Sequence, residues 1–236
     1  MCYNNFMKTH NHIFFNIKNG FTLAEVLITL VIIGVVAALA ISPLINTYVE
    51  SSTVAKVKKG LSIIGQAKKL AELQNGSIEG WDFGETTNEE NITKLFNYLK
   101  PHLSLAKDCG TNPGCYQNDV YYLKGGIASD AHYENNSQYY KFVLADGSVM
   151  VLAKYPGKCN YNDRYGTLTN IINVCAGVVY DVNGDKSPNT LGKDVFVYNI
   201  STDGVYPLDY PDCSKNRDGW GCAGYIIQHN NMKYLH

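Results

Sequence analysis

Apolar residues run almost unbroken from Phe21 to Ile45, FTLAEVLITLVIIGVVAALAISPLI, and Glu25 is the one charge among these 25 residues. A helix of that length spans about 37 Å at roughly 1.5 Å per residue, enough to cross a hydrocarbon core of about 30 Å. Beyond Pro43 the pattern turns amphipathic. Val54, Val57, Leu61, Ile64, Ala67 and Leu70 recur at three- and four-residue spacing, with Lys56, Lys59 and Lys69 on the opposite face. This predicts a helical continuation, half of it packed on a globular body, that stops near Asn75-Gly76 and keeps its lysines in solvent. A second, short helix is signalled by the capping-box spacing of Thr87-Asn88-Glu89-Glu90, followed by Ile92, Leu95, Phe96 and Leu99 before Pro101.

After Pro101 the pattern changes to strands and turns. Tyr139–Leu144 and Ser148–Leu152 flank Asp146-Gly147, a hairpin signature because a tight two-residue turn needs positive φ. Gly177–Asp181 and Val195–Ile200 read as two further strands. Trp220-Gly221-Cys222 with Tyr225-Ile226-Ile227 reads as a final strand stapled by its cysteine. The fold class is therefore α+β: a long N-terminal hydrophobic helix continuing into a globular head with an antiparallel β-sheet.

Composition places that head outside the cytoplasm. The 236 residues suffice for one ordinary domain with an appendage, and 45% apolar content is enough for a core. Charged residues make up only 17%, while 18 Tyr and 21 Gly describe a strand- and loop-rich body. The formal charge is −1, and the first 20 residues carry Lys8 and Lys18 but no acid. Without a concentrated basic surface, DNA is not an expected partner. Lys8 and Lys18 before the apolar run are balanced by Lys56, Lys58 and Lys59 after it, so the positive-inside rule does not orient the span.

Cysteines break that tie. Cys2 stands apart at the N-terminus, while Cys109, Cys115, Cys159, Cys175, Cys213 and Cys222 fall in the body as three sequence-local pairs. The simplest connectivity is Cys109–Cys115, Cys159–Cys175 and Cys213–Cys222, although six cysteines allow 15 pairings and the sequence does not choose among them. Free thiols or a metal site are the alternatives; no Cys-x-x-Cys occurs and no His stands at zinc-like spacing from a Cys. Bridges imply an oxidising compartment and an exported body.

Lys18-Asn19-Gly20-Phe21-Thr22-Leu23-Ala24-Glu25 followed by an apolar run resembles the prepilin peptidase recognition site of type IV pilins and type II secretion pseudopilins. The resemblance covers residues 18–50 and extends only loosely beyond. It implies cleavage between Gly20 and Phe21 with N-methylation of Phe21. Glu25 falls where the family keeps its acid, and Pro43 falls where the family's helix is commonly bent or loosened. A lone carboxylate in hydrocarbon costs on the order of 2.5 to 3.5 kcal/mol, so an acid there asks for a partner. The resemblance supplies one: Glu25 meets the cationic amine of a neighbouring subunit's Phe21, which sets axial register. Two rival readings use the same segment, a secretory signal peptide cut after Ala38-Leu39-Ala40 and an unprocessed single-span anchor.

One loop suggests ligand chemistry. Asp181, Asn183 and Asp185 alternate in DVNGDKSPN, which continues through Gly192-Lys193-Asp194-Val195-Phe196. Alternating oxygen side chains can converge on a hard cation, as in the opening of an EF-hand loop. Lys186 replaces that loop's glycine and Gly192 its bidentate acid, so this is no EF-hand, and an Asx-turn loop capping its own backbone is the alternative. No cofactor is required, and calcium is the candidate cation, also because such turns in pseudopilin-like proteins include calcium sites. No Gly-x-Ser-x-Gly, His-Glu-x-x-His or phosphate-cradling glycine loop occurs, so no enzyme is expected. Tyr121-Tyr122 and Tyr139-Tyr140 are candidate partner surfaces, because aromatics supply interface hot spots.

The expected organisation is a leader at 1–20, a transmembrane and assembly helix at 21–45, an amphipathic continuation at 46–76 and a disulfide-stapled head at 77–236. The expected role is that of a structural subunit of a type IV pilus-like filament or a type II secretion pseudopilus. Its expected partners are other pilin or pseudopilin subunits, prepilin peptidase, the inner membrane and an assembly platform, with the head periplasmic or extracellular. The alternative is a secreted or membrane-anchored binding domain that never enters a filament.

Overall fold

A computed structural model describes residues 20–163, 171–210 and 213–236. Most of the leader, with Cys2, Lys8 and Lys18, lies outside the described residues. The chain forms two units, one ending at Asn46 and one spanning Thr47–His236, and each is described by itself. Helix α1, Leu23–Asn75, contributes residues to both and is continuous through position 43.

In the first unit, the large apolar side chains along the run are exposed, Phe21 at 87% and Ile45 at 53%. The helix satisfies its own backbone, and among the described residues of this unit its side chains find no core.

The second unit is built on an antiparallel sheet. Its strands are β1 (Leu105–Gly110), β3 (Tyr139–Leu144), β4 (Val149–Lys154), β6 (Ile171–Asp181), β8 (Val195–Ser201) and β9 (Val205–Pro207), adjacent in that order. β5 (Tyr161–Asp163) pairs with the first part of β6. A small parallel pair, β2 (Val120–Tyr121) with β7 (Asn189–Thr190), lies apart from it. The expected hairpin is present: Val143 pairs with Val149 across a turn in which Gly147 takes φ 85°, a conformation that suits glycine.

Both faces of the sheet are covered. Phe142, Met150, Val178, Tyr180, Phe196 and Tyr198 point to one side and pack with Val57, Ile64 and Ala71 of α1 and with α2 (Glu89–Leu99). Val149, Val151, Val179, Val195 and Val197 point to the other and pack under Tyr116, Val120, Tyr133 and Leu191. A sheet buried on both faces reads as continuous apolar runs rather than strict alternation, and all seven residues of β8 are buried.

Two details correct the sequence reading. The cap of α2 is Asn88, whose side chain accepts the Asn91 amide at 2.9 Å, so the helix is capped one residue later than the box places it. The segment Cys222–His229 is a helix, α3, and not a strand. It buries Cys222, Ala223 and Ile226 along one face and ends on Asn230 in the left-handed region at φ 56°. Lys56, Lys59 and Lys69 are exposed, as their face of α1 predicts, and three exposed lysines of the helix also reach the head. Lys56 Nζ donates to the Val182 carbonyl at 2.9 Å, Lys58 Nζ to Asn230 Oδ1 at 2.7 Å, and Lys59 pairs with Asp146 at 2.6 Å. These contacts clamp this part of α1 to three separate segments of the head, while Lys69 is exposed. At Gly60 the helix lies so close to the sheet that a Cβ would sit 2.5 Å from the Tyr180 ring.

Candidate functional site

Gly20 and Phe21 are exposed, with no atom within 4 Å of where a Gly20 side chain would begin. The helix begins two residues later, and its first turn is closed by a reciprocal cap. Thr22 donates both its backbone N–H and its hydroxyl to Glu25 Oε2, each at 2.8 Å, and the Thr22 hydroxyl accepts the Glu25 amide at 3.2 Å. The local reason is the spacing: a hydroxyl and a carboxylate three residues apart satisfy each other's orphan donors at a helix start. An acid at this end also complements the positive pole of the helix dipole. Glu25 is therefore held at the helix N-terminus, one turn from the Gly20-Phe21 bond.

In the head, each sequence-local cysteine pair is joined: Cys109 to Cys115, Cys159 to Cys175 and Cys213 to Cys222. The bridges close short loops, so each constrains its own neighbourhood rather than linking distant parts of the chain.

The loop from Asp181 to Asp194 is arranged differently from the expected trio. Asp185 turns away from Asp181: its carboxylate accepts the amides of Gln117 at 2.5 Å and Asn118 at 3.0 Å, and the side-chain amide of Asn189 at 3.1 Å. Asp194 takes its place. Asn183 reaches Asp194 Oδ2 at 3.4 Å, and its backbone N–H donates to Asp181 Oδ1 at 3.1 Å. The opposite orientation of the Asn183 amide donates to Asp181 Oδ1 at 2.8 Å and to the Gly184 carbonyl at 2.7 Å. Asp181 is fully buried; its Oδ2 makes no hydrogen bond of ordinary geometry, and the nearest hydroxyl to it is that of the equally buried Tyr116. Burial and the neighbouring Asp194 carboxylate push Asp181 up to about 8, and burial pushes Asp194 up to about 6. The buried Asp181 carboxylate, the half-buried Asp194 carboxylate and the Asn183 amide form an oxygen donor set that suits a hard cation, with Asp194 in the role expected of Asp185. Among the described residues no three of His, Cys, Asp and Glu converge, so such a cation would depend on amide and backbone oxygens for the rest of its shell.

Two lysines that the sequence did not single out organise the head from inside. Lys141 is fully buried and donates to the carbonyls of Thr111, Tyr133, Glu134 and Asn136 at 2.9 to 3.3 Å. Lys154 does the same for Glu85, Tyr155 and Gly157 at 2.8 to 3.0 Å. Burial lowers the pKa of both ammonium groups. The candidate tyrosine surfaces divide: Tyr140 is buried and stacks on Phe96 at 3.9 Å, whereas Tyr122 is on the surface and donates to Asp130 at 2.7 Å.

An apolar helix opened by a self-capped acid, together with an α+β head carrying three disulfides, fits a single-pass membrane-anchored protein of the pilin-like class. Residues 16–41 match the family model described as the prokaryotic N-terminal methylation motif, the prepilin-type cleavage and methylation segment of type IV pilins and pseudopilins. No curated protein and no solved structure matches the chain.

Proposed function

We propose that this protein is a structural, non-enzymatic subunit of a type IV pilus-like filament or type II secretion pseudopilus, inserted in the inner membrane with its head periplasmic before assembly. The carrying observation is the methylation motif at the start of a helix whose apolar side chains are exposed among the described residues of their unit. A lipid core or a bundle of identical helices would cover that surface. Prepilin peptidase would release the mature chain at Phe21. Glu25 would then exchange its contact with Thr22 for the methylated amine of a neighbouring subunit, pairing two charges that are each costly alone.

Intact mass and N-terminal sequencing of the protein from membranes of its native host test this reading. The expected result is a chain starting at N-methylated Phe21. A start near Ile41 would replace the filament subunit with a domain released by signal peptidase. Loss of exoprotein secretion on deletion would assign the protein to a secretion machine, and loss of surface filaments would assign it to a pilus.

The loop around Asp181 adds calcium to the proposal, on the strength of the buried Asp181 carboxylate, whose Oδ2 makes no hydrogen bond of ordinary geometry. A ligand that binds only the folded state raises stability by mass action. Millimolar calcium is expected to raise the Tm of the full chain, and Asp194→Asn to remove that increase. An unchanged Tm would leave the loop as a self-capped turn.

A further inference from the structure

We propose that a cavity of about 280 Å³ on the head, between residues 116–119 and 131–136, is a binding site for a neutral saccharide. The proposal is independent of whether the protein enters a filament. It stands on the way the cavity walls are held and on what they present.

The walls are irregular backbone with no sheet ladder of their own, yet each is pinned from behind. Glu134 accepts the amides of Gly114 at 2.5 Å and Tyr116 at 3.0 Å. Asp185 accepts those of Gln117 and Asn118, reaching across 68 positions of sequence to do so. The buried Lys141 ammonium gathers the carbonyls of Tyr133, Glu134 and Asn136. The Cys109–Cys115 bridge anchors the approach to the first wall, and the buried rings of Tyr116 and Tyr133 meet edge to face at 5.6 Å below it. Three charged groups and a disulfide thus hold solvent-facing loops whose exposed side chains add nothing to the core. Such a fixed surface avoids most of the ordering cost that mobile loops bear on binding.

The lining selects the ligand. Gln117, Asp119, His132 and Asn135 line the cavity with amide, carboxylate and imidazole side chains, while Asn118 donates its side-chain amide to Asp185 and Asn136 accepts the Gln138 amide. Among the described residues the lining has no lysine or arginine, which disfavours phosphate and nucleic acid. Its tyrosine rings, Tyr116 and Tyr133, are buried, which disfavours an apolar peptide or acyl chain. Dense, planar donors and acceptors around a volume at the lower end of ligand pockets match one hydroxyl-rich ring.

The test uses the full chain in phosphatidylcholine nanodiscs, avoiding detergents with sugar headgroups. Methyl glycosides of neutral hexoses and N-acetylhexosamines are titrated and read by saturation-transfer NMR, with glucose 6-phosphate as the anionic comparison. At least one neutral glycoside is expected to give saturable transfer. Asn135→Ala and Asp119→Ala are each expected to weaken it by about five- to tenfold, the value of one lost hydrogen bond, with Tm unchanged. Gln66→Ala, on the exposed face of α1, is expected to leave it intact. The proposal is overturned if no neutral glycoside saturates, if both lining variants retain full transfer, or if glucose 6-phosphate binds more tightly.

Discussion

The residues Phe21 to Ile45 and the head from Thr47 onward use the same apolar side chains to opposite ends. In the first stretch Leu30 is 60% exposed and Ile33 64%. In the second, Ile64, Ile92 and Leu95 are at most 1% exposed, closed between helix and sheet. Burial of such a side chain stabilises by about 1.5 to 3 kcal/mol relative to exposure. The head obtains that stabilisation from its own chain. Among the described residues the N-terminal stretch has no such partner, and that difference separates a folding domain from an exposed apolar helix.

The contrast is broken most strongly in the core of the head. Phe96 is fully buried, stacks on Tyr140 and lies 4.8 Å from the Phe142 ring. Phe96→Ala is expected to destabilise the head by about 3 to 5 kcal/mol in denaturant unfolding, through lost contact and the cavity left behind. A loss under about 1 kcal/mol would mean that α2 is not an integral part of this core.

Lys141 comes next. Replacing it with Met keeps much of the aliphatic stem but removes the donor shared by four carbonyls. The expected loss is about 3 kcal/mol, the order of cost for leaving buried polar groups unpaired. Equilibrium unfolding of Lys141→Met beside Lys141→Arg measures it; a neutral outcome for Met would show that water serves these carbonyls equally well.

A smaller effect is expected at the clamp between α1 and the β3–β4 turn. Burial alone would raise Asp146, but Lys59 and Ser148 outweigh it and hold the carboxyl at about 2. That value lies below the ordinary 3.8, so the contact contributes stability above about pH 4 and loses it as the pH falls toward 2. Thermal melts from pH 6 to pH 2 should therefore fall more steeply for the wild type than for Asp146→Asn. Parallel curves would mean that the ion pair does not persist in solution.

The smallest effect sharpens the comparison from the other side. Ile33→Ala removes as much side chain as many core truncations, yet it is expected to change unfolding of the head by less than about 0.5 kcal/mol. Its consequence should show instead in membrane retention or assembly. Cooperative loss of head stability in this variant would refute the separation of the two regions.

Local signals made part of this legible. The apolar run, the processing segment around Gly20-Phe21, the end of α1 before Gly76 and the hairpin at Asp146-Gly147 each depend on residues within a few positions of one another. Asp185 shows why the cation loop was not: spacing placed its carboxylate beside Asp181, but the amides of Gln117 and Asn118 compete for it from 68 and 67 residues away. Lys141 offered no local signal either, since a lysine inside a strand ordinarily faces water. Its four carbonyl partners come from a loop layer with no periodic pattern.

The sequence alone therefore determined the apolar N-terminal helix, its methylation motif and most of the helix and strand types that follow from hydrophobic period, the C-terminal helix excepted. Tertiary structure decided which polar groups are buried and what satisfies them, as with Asp181 beside Asp194 and Lys141 among carbonyls, and which segments of the head the exposed lysines of α1 reach. The physical reason is one of range. Hydrophobic periodicity is written into neighbouring residues, whereas a buried charge is stable only where the fold brings partners from far along the chain.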